Sequence, residues 1–338
     1  MTTTSVLVCD DSGMARKQMA RALPEDWEIT VQYAADGEEC LERVRQGQAD
    51  LLFLDLNMPG LDGYGVLERI RYEELPTIVI VVSGDIQPDA HERVMAFGAL
   101  AFIEKPTSAE KVRTLLTEYG LYRPSESDSA ASVYSPESPS TGSDQWLDVL
   151  RELSNVAMGR AGDLLARLLN VFIRLPVPRV NELTPNELRM ALTATKDGGS
   201  WSGVCQGFIG SGLCGEALLM FSESRFADMA NLLGYPDAGE PGLETEVLMD
   251  ISSILTGAFL KGLGDQLDVN FGISHPVVLG THLRVDDLLE QNTDRWQNML
   301  AIELNYAVEA PDIRCHFLLL FAEEAIPLLR ERLSYLLD

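Results

Sequence analysis

The chain has 338 residues, with 52 acidic against 26 basic side chains and a formal net charge of −26. That balance argues against nucleic acid as a partner, because phosphate binding needs clustered Lys and Arg, and equally against an anionic membrane surface. At roughly 150 residues per domain the length predicts two domains, each large enough to bury a core. Five cysteines (Cys9, Cys40, Cys205, Cys214, Cys315) fit neither a disulfide framework nor zinc spacing and are expected to be reduced. The N-terminal Met-Thr-Thr-Thr-Ser lacks the basic region of a signal peptide, and no apolar run approaches the ~18 residues of a spanning helix. A cytoplasmic, soluble protein is the expectation.

Strand and helix patterns alternate over the first 122 residues. Ser5–Cys9, Thr30–Ala34, Leu51–Leu54, Thr77–Val82 and Ala101–Glu104 read as strands. Helices are predicted from Gly13 to Leu23, Glu38 to Arg45, Tyr64 to Arg71, Ala90 to Phe97 and Ser108 to Tyr119, the last with Thr107 and Glu110 as a capping box. Continuous apolar strands separated by helices imply a parallel sheet covered on both faces, with the site at the carboxyl ends of its strands. Those ends carry Asp10 and Asp11, Asp55, Ser83 and Lys105. Three carboxylates at one spot repel each other unless a divalent cation sits among them, and an all-oxygen set suits Mg²⁺. A hydroxyl and an ammonium beside them are placed to bind phosphoryl oxygens.

This stretch resembles the response-regulator receiver domains, the CheY-like group. The resemblance covers all five strands and rests on Asp10-Asp11, on Leu54-Asp55-Leu56-Asn57-Met58-Pro59-Gly60, on Ser83-Gly84 and on Lys105-Pro106. It implies a doubly wound sheet of order 2-1-3-4-5 and a histidine kinase as phosphodonor. By the same resemblance Asp55 accepts the phosphoryl group, and Asp10, Asp11, Asp55 and the Asn57 carbonyl hold Mg²⁺. Ser83 and Lys105 bind the phosphoryl oxygens, Phe102 is the switch aromatic, and Lys105-Pro106 is a cis peptide.

Residues 123–143 are rich in Ser, Pro and acidic side chains and poor in apolar ones, so a flexible linker is expected there. From residue 144 onward the chain reads as two similar halves, 144–238 and 239–338. In a helix, Asp148, Glu152 and Asn155 fall at i, i+4 and i+7 and form one stripe, with Leu150, Leu153, Val156 and Ala157 on the apolar side, so the stripe need not be buried. Glu246, Asp250 and Ser253 repeat the spacing 98 residues later, and Pro178 and Pro276 each follow 23 positions behind their stripe. Gly159 and Gly257 keep the same offset, and a glycine inside a helix suggests close backbone packing. Each half is expected to hold a long helix, a β-hairpin and a closing helix. The hairpins are Gly203–Gly210 with Leu213–Phe221, turning at Ser211-Gly212, and Met299–Val308 with Ile313–Phe321; the closing helices run near Ser224–Leu233 and Glu323–Leu337. The result is an α/β domain of pseudo-twofold symmetry that presents its two long helices together.

Asp148, Glu152, Asn155 and Pro178 match the signature of the CheC/CheX/FliY chemotaxis phosphatases, which this region resembles over nearly its whole length. The resemblance implies that Glu152 contacts the active-site lysine of a phosphorylated receiver and Asn155 positions the attacking water, with Asp148 in support. The second copy departs from the signature at Asp250 and Ser253, so its site is expected to be weak or inactive. The substrate implied is a phosphorylated CheY-like receiver, separate or the chain's own Asp55. The rival reading is a docking or homodimerisation module that hydrolyses nothing; a DNA-binding output stands third, opposed by the charge. The four histidines are scattered without metal-ligand spacing and, like Arg16 and Lys17, read as ordinary core or surface residues.

Overall fold

The computed structural model describes residues 4–122, 145–175, 177–184, 187–188, 190, 201–222, 225–235, 242–283, 299–309 and 313–335. The expected linker, 123–143, lies outside them. The chain divides into two compact units, Met1–Asp148 and Val149–Asp338.

In the first unit, β1 (Thr4–Cys9), β2 (Ile29–Ala34), β3 (Leu51–Leu54), β4 (Ile78–Ser83) and β5 (Ala101–Glu104) alternate with α1 (Gly13–Ala22), α2 (Gly37–Arg45), α3 (Gly63–Tyr72), α4 (Pro88–Ala96) and α5 (Ala109–Glu118). The strands form one parallel sheet of order β2-β1-β3-β4-β5. Alternation of side chains along the strands builds two cores. Leu7, Cys9, Leu52, Leu54, Val79 and Val81 enter one, and Val6, Val8, Leu51, Phe53, Ile80 and Val82 the other. Both faces are therefore apolar, which is why these strands read as unbroken hydrophobic runs. Ser12, Asp36 and Asp62 cap α1, α2 and α3 through their side chains. The cap of α5 is Ser108, which accepts the Lys111 N–H at 3.3 Å, one residue later than the expected Thr107.

The second unit is built on an antiparallel sheet. Its elements are α6 (Gln145–Leu169, whose first four residues fall in the first unit), β6 (Ile173–Arg174), β7 (Arg179–Leu183), β8 (Trp201–Gly210), β9 (Leu213–Ser222), α7 (Phe226–Leu232), α8 (Leu243–Leu267), β10 (Gly272–Ile273), β11 (Val277–Leu283), β12 (Met299–Val308), β13 (Ile313–Ala322) and α9 (Ile326–Ser334). The sheet runs β10-β8-β9-β13-β12-β6, with β11 also on β8 and β7 also on β12. The β8–β9 hairpin turns at Ser211 and Gly212, both at positive φ (48° and 83°), as a tight two-residue turn requires. Phe259 of α8 meets Phe317 of β13 edge to face, ring centroids 6.1 Å apart, so this long helix packs on the sheet.

The two long helices touch where Gly262 leaves room: a Cβ there would lie 3.0 Å from the Ala157 Cα. Gln266 Nε2 donates to the carbonyls of Leu153 and Gly262, both at 3.0 Å, and Arg160 pairs with Asp265 at 3.1 Å. The close approach expected at Gly257 is absent, since a Cβ there would meet nothing within 4 Å. The helical period placed Gly257 on the wrong side of α8 for that contact. Among the described residues α8 is also long and apolar enough to cross a membrane by length and composition, contrary to the expectation that no run comes close. Of its apolar window, 61% is buried, as in a helix that faces a core.

Candidate phosphorylation site

Strand register brings the site together. Cys9 pairs with both Ala34 and Leu54, and Ser83 with Glu104, so the residues that follow β1, β3 and β5 sit at one edge with Ser83. Carboxylate oxygens of Asp10, Asp11 and Asp55 lie within 4.8 Å of one another. Lys105 Nζ reaches Asp10 Oδ2 at 2.7 Å and Asp55 Oδ1 at 3.1 Å, and the Lys105-Pro106 peptide is cis. Asp55 is 1% exposed; its Oδ2 accepts the Asn57 N–H at 2.9 Å. The Ser12 N–H holds Asp10 Oδ1 at 2.8 Å. The Lys105 ammonium touches two of the three clustered carboxylates and offsets one of their three negative charges, and the donors are all oxygen, so the set fits a hard divalent cation.

Several neighbours were not legible in the sequence. Arg16, expected on a solvated face, is half-buried and donates to the Asp10 carbonyl at 2.5 Å. Asp85 and Gln87 are buried beside Ser83, whose Oγ accepts the Asp85 N–H at 3.1 Å. The expected switch residue, Phe102, is half-buried and packs edge to face against His91, with centroids 5.6 Å apart. A hydrogen bond to Cys40, burial, and the charges of Cys40, Asp10 and Asp55 all push the Cys9 thiol well above its ordinary pKa, which keeps it protonated. All five cysteines are free thiols.

The response regulator receiver domain family matches residues 6–117. The first unit contains a receiver domain. Among curated proteins the chain is 43% identical over 107 residues to a protein-glutamate methylesterase/protein-glutamine glutaminase of Symbiobacterium thermophilum, covering 31% of this chain and 29% of that one. A protein of that name from Geobacter sulfurreducens, numbered 3, is 37% identical over 119 residues, 35% of this chain and 32% of that one. The chain thus spans less than a third of these relatives. FliY of Thermotoga maritima, among solved structures, aligns over 58% of this chain and 99% of its own at 19% identity and a TM-score of 0.43.

Outside the receiver domain, the two sequence stripes differ in a way their spacing did not predict. Glu152 and Asn155 are buried, at 7% and 4% exposure, and Asp148 is half-buried. The expectation of an unburied stripe on α6 is corrected: this helix is enclosed on all sides from Glu152 to Gly159. Glu246, Asp250 and Ser253 on α8 are instead exposed, and Asp250 accepts the Tyr235 hydroxyl at 2.8 Å. That bond, then burial and the nearby carboxylate charges raise the Tyr235 pKa.

Proposed function

We propose that this chain is a chemotaxis-type, two-component response regulator of the cytoplasm whose receiver domain is phosphorylated on Asp55 by a histidine kinase. The observation that carries the reading is the Asp10-Asp11-Asp55 cluster with Lys105 reaching two of its carboxylates. In this reading Asp10, Asp11, Asp55 and the Asn57 carbonyl hold Mg²⁺, which when bound neutralises charge on the phosphoryl group and carboxylates. An Asp55 oxygen attacks phosphorus and the P–N bond to the donor histidine breaks. Lys105 and Ser83 then bind the phosphoryl oxygens, Lys105 as a charge and Ser83 as a hydroxyl donor. The test is phosphorylation of the full chain by phosphoramidate with Mg²⁺: the wild type should gain one phosphoryl group by mass and Asp55→Asn none. Equal labelling of the two would sink the assignment.

For residues 144–338 the proposed output is a CheC-like phosphatase that hydrolyses aspartyl phosphate on a receiver, the chain's own or a separate CheY-like one. Supporting it, the strand order reads the same when the two halves exchange places. Each half supplies a hairpin at the centre (β8–β9, β12–β13) and its short strands lie beside the other half's hairpin. Glu152 would contact the receiver lysine, Asn155 would orient a water in line with phosphorus, and the aspartate would depart as its carboxylate. An aspartyl phosphate is already reactive, so positioning suffices. The burial of Glu152 and Asn155 favours a second reading, in which the domain docks or dimerises without hydrolysis. Phosphate release from a phosphorylated receiver, with and without the chain, separates the two readings.

A further inference from the structure

The connection between β4 and α4 holds a run of hydrogen bonds that the proposed chemistry leaves unused. Ser83 Oγ accepts the Asp85 N–H at 3.1 Å. Asp85 Oδ1 in turn accepts two N–H groups from one residue, the Gln87 amide at 3.1 Å and the Gln87 carboxamide Nε2 at 3.0 Å. The Gln87 carbonyl accepts the His91 N–H at 3.2 Å, and the His91 ring lies on Phe102. Contacts therefore run unbroken from the Ser83 hydroxyl to the Phe102 ring.

Gln87 occupies the N-cap position of α4 but makes no side-chain cap, whereas Ser12, Asp36, Asp62 and Ser108 each cap their own helices. Its side chain is turned back on Asp85. Asp85 is a buried carboxylate, 2% exposed, and such a group is costly unless donors reach it. Gln87 supplies two, and they fix the Asp85 backbone against Ser83.

We infer that Gln87 is a positioning residue for phosphoryl binding at Asp55, acting through Asp85 on the Ser83 hydroxyl. With one lone pair of Ser83 Oγ committed to the Asp85 N–H, the hydroxyl proton points elsewhere and is ready to donate to a phosphoryl oxygen. Accepting one hydrogen bond also strengthens the hydroxyl as a donor of the next. Without the Gln87 carboxamide the Asp85 turn loosens and Ser83 samples rotamers that do not donate. The inference rests on Ser83 being a ligand of the phosphoryl group.

The experiment titrates the full chain with beryllofluoride, a phosphoryl mimic, in the presence of Mg²⁺ and follows the bound ¹⁹F resonance. Gln87→Met keeps the side-chain length and removes the donor; its affinity should fall about threefold to tenfold, the size of one hydrogen bond. Ser83→Ala should also weaken binding, and Gln87→Met added to Ser83→Ala should weaken it no further. A role in stability alone would lower the unfolding temperature and leave this non-additivity absent. Should Gln87→Met not fold, Gln87→Asn, one methylene shorter, should show a smaller loss with the same non-additivity. Wild-type affinity in the Gln87 variants beside a weakened Ser83→Ala overturns the inference, as do losses that multiply. Wild-type affinity in Ser83→Ala instead removes the assignment of Ser83 on which it rests.

Discussion

Two side chains on α6 and α8 separate what spacing suggests from what chemistry permits. Asn155 offers a carboxamide, which donates and accepts at once and so holds a water in one orientation; Ser253 has a single hydroxyl at the matching place. If residues 144–338 are the proposed phosphatase, Asn155→Ala should therefore lower added phosphatase activity on a phosphorylated receiver by roughly a hundredfold, the scale of a lost positioning group, while Ser253→Ala changes it little. Equal losses would mean that the second stripe is a working site. Burial adds a condition: Asn155 is enclosed and Ser253 exposed. A maleimide should label Ser253→Cys at the rate of an open thiol and Asn155→Cys much more slowly, read by mass spectrometry. Fast labelling of Asn155→Cys would contradict the enclosed arrangement.

The element scale turns on two glycines of α8. Gly262 lets the helix approach α6, with a new Cβ 3.0 Å from the Ala157 backbone, while Gly257 faces open space. Gly262→Ala should destabilise the second unit by about 1–3 kcal/mol through overpacking. Gly257→Ala should leave it unchanged or stabilise it by up to about 1 kcal/mol, because the helix loses a flexible residue and gains no clash. Denaturant unfolding of each variant checks both signs. A loss at Gly257 as large as that at Gly262 would show that α8 packs through the face assigned to solvent.

For the whole molecule, the question is whether one unit's chemistry serves the other. If residues 123–143 act as the flexible linker expected from their composition, such a tether of about 20 residues would have a root-mean-square span near 25 Å and a maximum reach of about 70 Å. Each unit would then meet the other at an effective concentration on the order of millimolar. If the chain dephosphorylates itself, phosphate on Asp55 should decay faster in the full-length protein than in residues 1–122. The excess should vanish in Glu152→Ala and Asn155→Ala and stay constant on dilution. Identical decay would assign the substrate to another protein, and an excess that grows with concentration would point to dimers acting in trans.

The sequence alone determined where most elements run. Leu51–Leu54 and Ala101–Glu104 begin and end where expected, and the strands of both long hairpins fall within two residues of expectation. Such patterns are local: a buried strand must be apolar along its own length, and a tight turn needs residues that tolerate positive φ. The parallel sheet and the meeting of Asp10, Asp55 and Lys105 were legible for the same reason, since strand ends in such a sheet share one edge, while the strand order came from the resemblance to receiver domains. Only the tertiary structure decided which side of a helix is covered. Glu152 and its counterpart Asp250 look alike in a helical stripe, but one is buried and the other is exposed. Gly262 rather than Gly257 carries the close approach, and Gln87 leaves its own helix to hold Asp85. Each outcome depends on side chains meeting in three dimensions, and an amphipathic period records only how residues are spaced along one helix, not which neighbours will lie against it.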